Sequence, residues 1–132
     1  MATTARVGLL LLGLGQGSGA VWALIDPRSF YGDFPTKGQH WVSSFAPYNE
    51  HLIRDYGASF LAISALVLIA AWLADRRTMI VALVVYLIAA VPHLVFHAAH
   101  ADTTGSLSLA TLAVNVAFPL ILLLIAVKEA RT

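Results

Sequence analysis

Three histidines, His93, His97 and His100, follow Pro92 in the pattern H-x-x-x-H-x-x-H. At roughly 100° per residue an α-helix carries them at about 0°, 40° and −20°, as a single stripe. Neutral imidazoles sharing a stripe are ligands for zinc or copper, and mixed with carboxylate they also suit non-haem iron. A second group precedes it in the chain. His51 and Asp55 are i and i+4, so they stack on one helical face, and Glu50 with Arg54 forms a second such pair beside them. If the two segments pack antiparallel, both groups reach the same depth. The expected metal site is therefore His51, Asp55, His93, His97 and His100, holding zinc, copper or iron. Glu50 is the candidate catalytic group, placed to orient a bound water or move a proton. Its plainer role is the Arg54 ion pair. Histidines from facing helices can also clamp a haem, which ranks behind a divalent metal, and His40 stands apart from both groups. Set against all of this, the same imidazoles can simply be hydrogen-bonded to Glu50, Asp55 and Asp102 where a bundle meets water.

The elements that must position these residues are apolar helices. With 132 residues, 59% of them hydrophobic and only 11% charged, and a mean hydropathy of +0.80, the chain is far more apolar than a soluble domain of its size requires. Four apolar runs carry that composition: Val7 to Ile25, Ala58 to Ala74, Met79 to Phe96 and Leu107 to Val127. Each approaches the ~20 residues a helix needs to cross ~30 Å of hydrocarbon. Backbone groups in lipid must be satisfied within their own segment, and the runs lack the alternation of a barrel. The expectation is an all-α, four-transmembrane-helix bundle forming one integral membrane domain over 1–132, with helices at about 6–25, 50–74, 78–100 and 106–128. Arg6 followed by Val7 to Leu12 has the outline of a signal peptide, but no A-x-A cleavage pattern follows, which favours a retained span. Without cysteine there is no disulfide, thiolate ligand or iron–sulfur cluster.

Five of the eight Lys and Arg residues, Arg6, Arg76, Arg77, Lys128 and Arg131, lie at the termini or in the turn between the second and third runs. By the positive-inside rule both termini of this multi-pass protein are expected in the cytoplasm, and the histidine-bearing end faces outward from the cell membrane. A formal charge of +1 offers nothing to a nucleic acid. Between the first two runs lies a long segment, Asp26 to Asn49, with Pro27, Pro35 and Pro47 and the aromatics Phe30, Tyr31, Phe34, Trp41, Phe45 and Tyr48. Its length and aromatic content predict a packed cap at the membrane interface.

Helix one carries Gly13, Gly15, Gly17 and Gly19. A phosphate-cradling loop needs a strand before it, so the reading preferred is two small-xxx-small pairs that let helix backbones approach closely. Gln16 and Asn115 are neutral polar groups at membrane depth. They form an interhelical hydrogen bond, or with Tyr86, which shares the histidine stripe, they line a site for a hydrophobic ligand or cofactor.

The run Pro47-Tyr48-Asn49-Glu50, then Arg54 and Tyr56-Gly57 ahead of a long apolar helix, resembles the DoxX-like group of small bacterial membrane proteins. More of the chain resembles a set of actinobacterial four-helix membrane proteins: Asp33-Phe34-Pro35, His40-Trp41, Pro47 to His51, Asp55 and Pro92 to His100. The DoxX resemblance implies a link to sulfur and quinone redox chemistry.

Three functions fit the pattern. The first is a metal-binding membrane protein, redox or hydrolytic, with its site at the outer ends of the second and third helices. The second is a non-catalytic bundle that binds a quinone, lipid or other hydrophobic small molecule beside Gln16, Tyr86 and Asn115. The third is an accessory subunit or homo-oligomer that docks through the glycines of helix one. Whether the protein is an enzyme is left open by the residues.

Overall fold

The computed structural model describes residues 3–128. Its elements are α1 (Thr3–Ile25), α2 (Pro27–Asp33), α3 (Glu50–Leu73), α4 (Arg76–Ala99), α5 (Ala101–Thr104) and α6 (Ser106–Lys128). Four of these helices, α1, α3, α4 and α6, are long and apolar enough to cross a membrane. The protein is an all-helical bundle, as its apolar runs predict. The short helices α2 and α5 lie in the connections and have no counterpart in the sequence reading.

Local chemistry sets the ends. The Asn49 side chain accepts the Leu52 N–H at 3.1 Å to start α3, and Asp75 accepts the Thr78 N–H at 3.0 Å to start α4. Asp26 does the same for α2 through Ser29, with Pro27 following it. The tight link between α3 and α4 is closed by Ala74, a left-handed residue at φ 54°. Two side chains satisfy carbonyls left over at helix C-termini. The Arg54 guanidinium donates to Leu24 O near the end of α1, and Arg76 Nε donates to Ala126 O of α6 at 2.7 Å.

The long helices are ordered α1, α3, α4, α6 around the bundle. The closest packing is between α1 and α3, while α1 and α6, which close the ring, meet sparingly. Small residues explain the first fact. A Cβ on Gly57 would stand 2.9 Å from Ala20 O, and one on Gly13 would stand 2.7 Å from the Leu68 side chain; Gly17 lies against Ser64. The Gly13/Gly17 pair is thus filled by α3 of the same chain, and docking of helix one on a partner cannot draw on it. Gly15 faces open space and Gly19 meets Phe34.

The bundle has two unlike halves. Toward the termini it is densely packed around Leu9, Val67, Ala70, Met79, Ala82 and Leu83. At the other end the connection between α1 and α3 folds over the helices, and Phe30 with Ala23 and Ile53 anchors a cluster that draws in Trp22, Phe34 and Tyr56. Outward-facing aliphatic side chains such as Leu11, Leu14, Ile69, Ile88 and Val114 form the lipid-facing surface.

Candidate functional site

Between the dense half and the aromatic cap lies a cavity of about 1100 Å³. That volume is just above the ~300–1,000 Å³ typical of small-molecule sites. It forms where α1 and α6 diverge, so Gly15 and Ser18 line one side and Thr111 and Leu112 the other. Trp22, Phe34, Trp41 and Phe45 line it from the cap side. The rings interlock: Phe30 and Phe34 are 4.7 Å apart between centroids, and Phe34 and Trp41 meet edge-on at 6.2 Å.

One side of the cavity is a hydrogen-bonded cluster drawn from four helices. Tyr86, only 1% exposed, has its hydroxyl 2.7 Å from Asn115 Oδ1 and 3.1 Å from Gln16 Oε1. Asn115 Nδ2 reaches Gln16 Oε1 at 3.5 Å, and Gln16 Nε2 reaches the Tyr56 hydroxyl at 3.5 Å. Gln16, Tyr86 and Asn115 are therefore brought together by α1, α4 and α6. Tyr56, the α3 member, was not singled out as a site residue from the sequence. Its signal was the i,i+4 aromatic pair with Phe60 on a membrane span, whose rings lie 4.5 Å apart.

The neighbouring wall carries His93 and His97, with ring centroids 4.7 Å apart. His93 packs edge-on against Phe60 at 6.3 Å, and His97 against Phe45 at 5.1 Å. Thr104 Oγ1 lies 3.1 Å from His97 Nδ1 and within hydrogen-bond reach of the His97 and His100 carbonyls, so it fastens the end of α4 to α5.

The other expected ligands do not join this pair. His100 is not helical: it is the C-cap of α4, at φ −119° and ψ 42°, is exposed, and points Nδ1 back to Phe96 O at 2.8 Å. His51 and Asp55 contact each other at 3.3 Å with their side chains 86% and 61% exposed, on the face of α3 turned away from Ile53 and Gly57. Among the described residues no three His, Asp or Glu side chains converge as a metal group. The expected site of four imidazoles and an aspartate is not assembled in this structure, because the rotation of α3 is dictated by its small-residue contact with α1. The His93–His97 pair lies on one helix, whereas a haem clamp draws its histidines from facing helices. Glu50 holds Arg54 at 2.9 Å, and the Arg54 guanidinium reaches the α1 C-terminus through Leu24 O. His40 hydrogen-bonds Gly32 O within the cap connection.

At the cap rim, Arg28 lies over the Tyr48 ring at 4.8 Å. Desolvation, then the Glu50 charge, push the Tyr48 phenol above its ordinary range. Comparison with protein-family models, curated proteins and solved structures finds no match.

Proposed function

We propose that this chain is a membrane-embedded binding bundle for a lipid-soluble small molecule, of the size and polarity of a quinone or a lipid. The observation that carries the reading is the combination of an aromatic-capped cavity of about 1100 Å³ with a polar cluster on one of its sides. Mostly apolar walls with a few convergent polar groups are how small-molecule sites combine affinity with orientation. The weak contact between α1 and α6 supports lateral entry from the bilayer.

Arg6, Arg76, Arg77 and Lys128 gather at the end that carries the termini, which supports cytoplasmic termini and a cavity in the outward half of the cell membrane. The zinc, copper or iron reading ranks second. It rests on His93 and His97 alone, two imidazoles on one wall, with a third ligand still to be supplied.

The test is purification in mild detergent without chelator, followed by organic extraction with mass spectrometry, elemental analysis and an absorption spectrum. A near-stoichiometric small molecule that survives EDTA treatment is the expected result. Stoichiometric metal lost in a His93→Ala/His97→Ala variant, with no retained organic molecule, would move the function to the metal reading.

A further inference from the structure

The polar cluster is unbalanced, and the imbalance specifies what it binds. Tyr86 has one hydroxyl proton, and both amide oxygens, Gln16 Oε1 and Asn115 Oδ1, are turned toward it at 3.1 and 2.7 Å. The two NH2 groups are therefore turned the other way. Each amide NH2 carries two protons. One from Asn115 goes to Gln16 and one from Gln16 goes to the Tyr56 oxygen, each over a long 3.5 Å. The Tyr56 hydroxyl receives that bond, and its own proton has no acceptor among the described residues. Tyr56, Gln16 and Asn115 all line the cavity. The protons left unspent on these three residues are the Tyr56 O–H and one N–H each of Gln16 and Asn115, and a donor left without an acceptor away from water costs free energy that a matching ligand recovers.

We infer that the ligand, on the binding reading above, is an apolar molecule whose head is a carbonyl seated on Tyr56, Gln16 and Asn115. A carbonyl oxygen has two lone pairs and no proton, so it matches a cluster of donors. A hydroxyl head would bring a further proton to a place already rich in them. The tail then runs between α1 and α6, past Gly15 and Leu112, toward the lipid.

Trp22 and Trp41 line the cavity while Trp72 is lipid-facing at the opposite end, so indole emission reports occupancy. Decylbenzoquinone, which quenches indole, serves as the carbonyl probe in detergent-solubilised full-length protein. Decylhydroquinone, decylbenzene and methyl laurate compete against it. Saturable quenching is expected, displaced by methyl laurate if an ester carbonyl also fits, and displaced at least about tenfold less well by decylbenzene and decylhydroquinone, the scale of one lost hydrogen bond.

Tyr56→Phe keeps the ring and removes only the O–H, and should weaken the quinone about tenfold while leaving the affinity of decylbenzene unchanged. Asn115→Leu, checked for retained helicity and monodispersity, should act in the same direction. Equal competition by decylbenzene, with Tyr56→Phe binding the quinone like wild type, would overturn carbonyl recognition and leave hydrophobic binding standing. Absence of saturable quenching by the quinone, with no displacement by any competitor, would overturn both. A dissociation constant for methyl laurate, from displacement, below that of decylbenzoquinone, from direct quenching, assigns the carbonyl to a lipid ester; the reverse assigns it to a quinone-like ring.

Discussion

Tyr86 of α4 and Asn115 of α6 stand 2.7 Å apart, hydroxyl to amide oxygen, in the middle of a span that otherwise offers lipid-compatible side chains. This contact lies at the boundary between the dense half of the bundle and the cavity, and it orients the Asn115 amide. Tyr86→Phe keeps the packed ring and leaves two amide oxygens short of a donor. A loss of about 1–2 kcal/mol is expected, measured by unfolding in mixed micelles. A variant as stable as wild type would show that the amides re-pair without cost.

Gly15 has no neighbour within 4 Å of where a Cβ would stand, and it lines the cavity. Gly15→Leu should therefore fill cavity space without disturbing helix contacts. Stability is expected to stay level or to rise by up to about 1 kcal/mol from helix propensity alone. Ligand retention should fall at least about tenfold as volume is removed. Unchanged retention would place the ligand elsewhere.

The opposite outcome belongs to Gly57. A Cβ there meets Ala20 O and the Leu24 side chain at 2.9 Å, so one of the contacts is backbone and cannot rotate away. Gly57→Ala should push α1 from α3 and cost about 1–3 kcal/mol, visible as a lower melting temperature in detergent. Ala74→Gly at the end of the same helix should act the other way, because φ 54° is a left-handed conformation that costs a non-glycine residue about 1–2 kcal/mol.

Asp75 supplies a pH dependence whose sign can be worked out. Hydrogen bonds from the Thr78 side chain and then its backbone N–H hold the Asp75 carboxyl below its ordinary value of 3.8. A carboxyl depressed in the folded state contributes stability that is fully present above the unfolded value and lost as pH falls through the folded one. The melting-temperature gap between wild type and Asp75→Ala should accordingly be open at neutral pH and narrow below pH 3.8. A gap independent of pH would mean that the cap works without its charge.

How far each feature was legible depends on what decides it. The all-helical, membrane-spanning class follows from composition, because hydrocarbon accepts only segments that satisfy their own backbone and hide few charges. The cap's aromatic content and the Gly13/Gly17 pair were visible for the same reason, as properties of residue type, whereas Gly15/Gly19 packs no helix and the closest backbone approach, at Gly57, was not read from the sequence. Tertiary structure decided which way each helix is turned. Buried Ile53 and Gly57 face α1, and His51 and Asp55, each two residues from one of them, are about 200° around the helix on the other side. The stripe from Tyr86 through His93 to His97 faces the bundle, but at His100 the helix has ended and a helical angle no longer applies. Spacing along one helix says which side chains travel together; only the neighbouring helix says whether they look inward. So the imidazole pair beside a donor-rich cavity emerged from packing between Gly57 and Ala20, Tyr86 and Asn115, contacts between residues far apart in the chain and set by shape complementarity that no single segment contains.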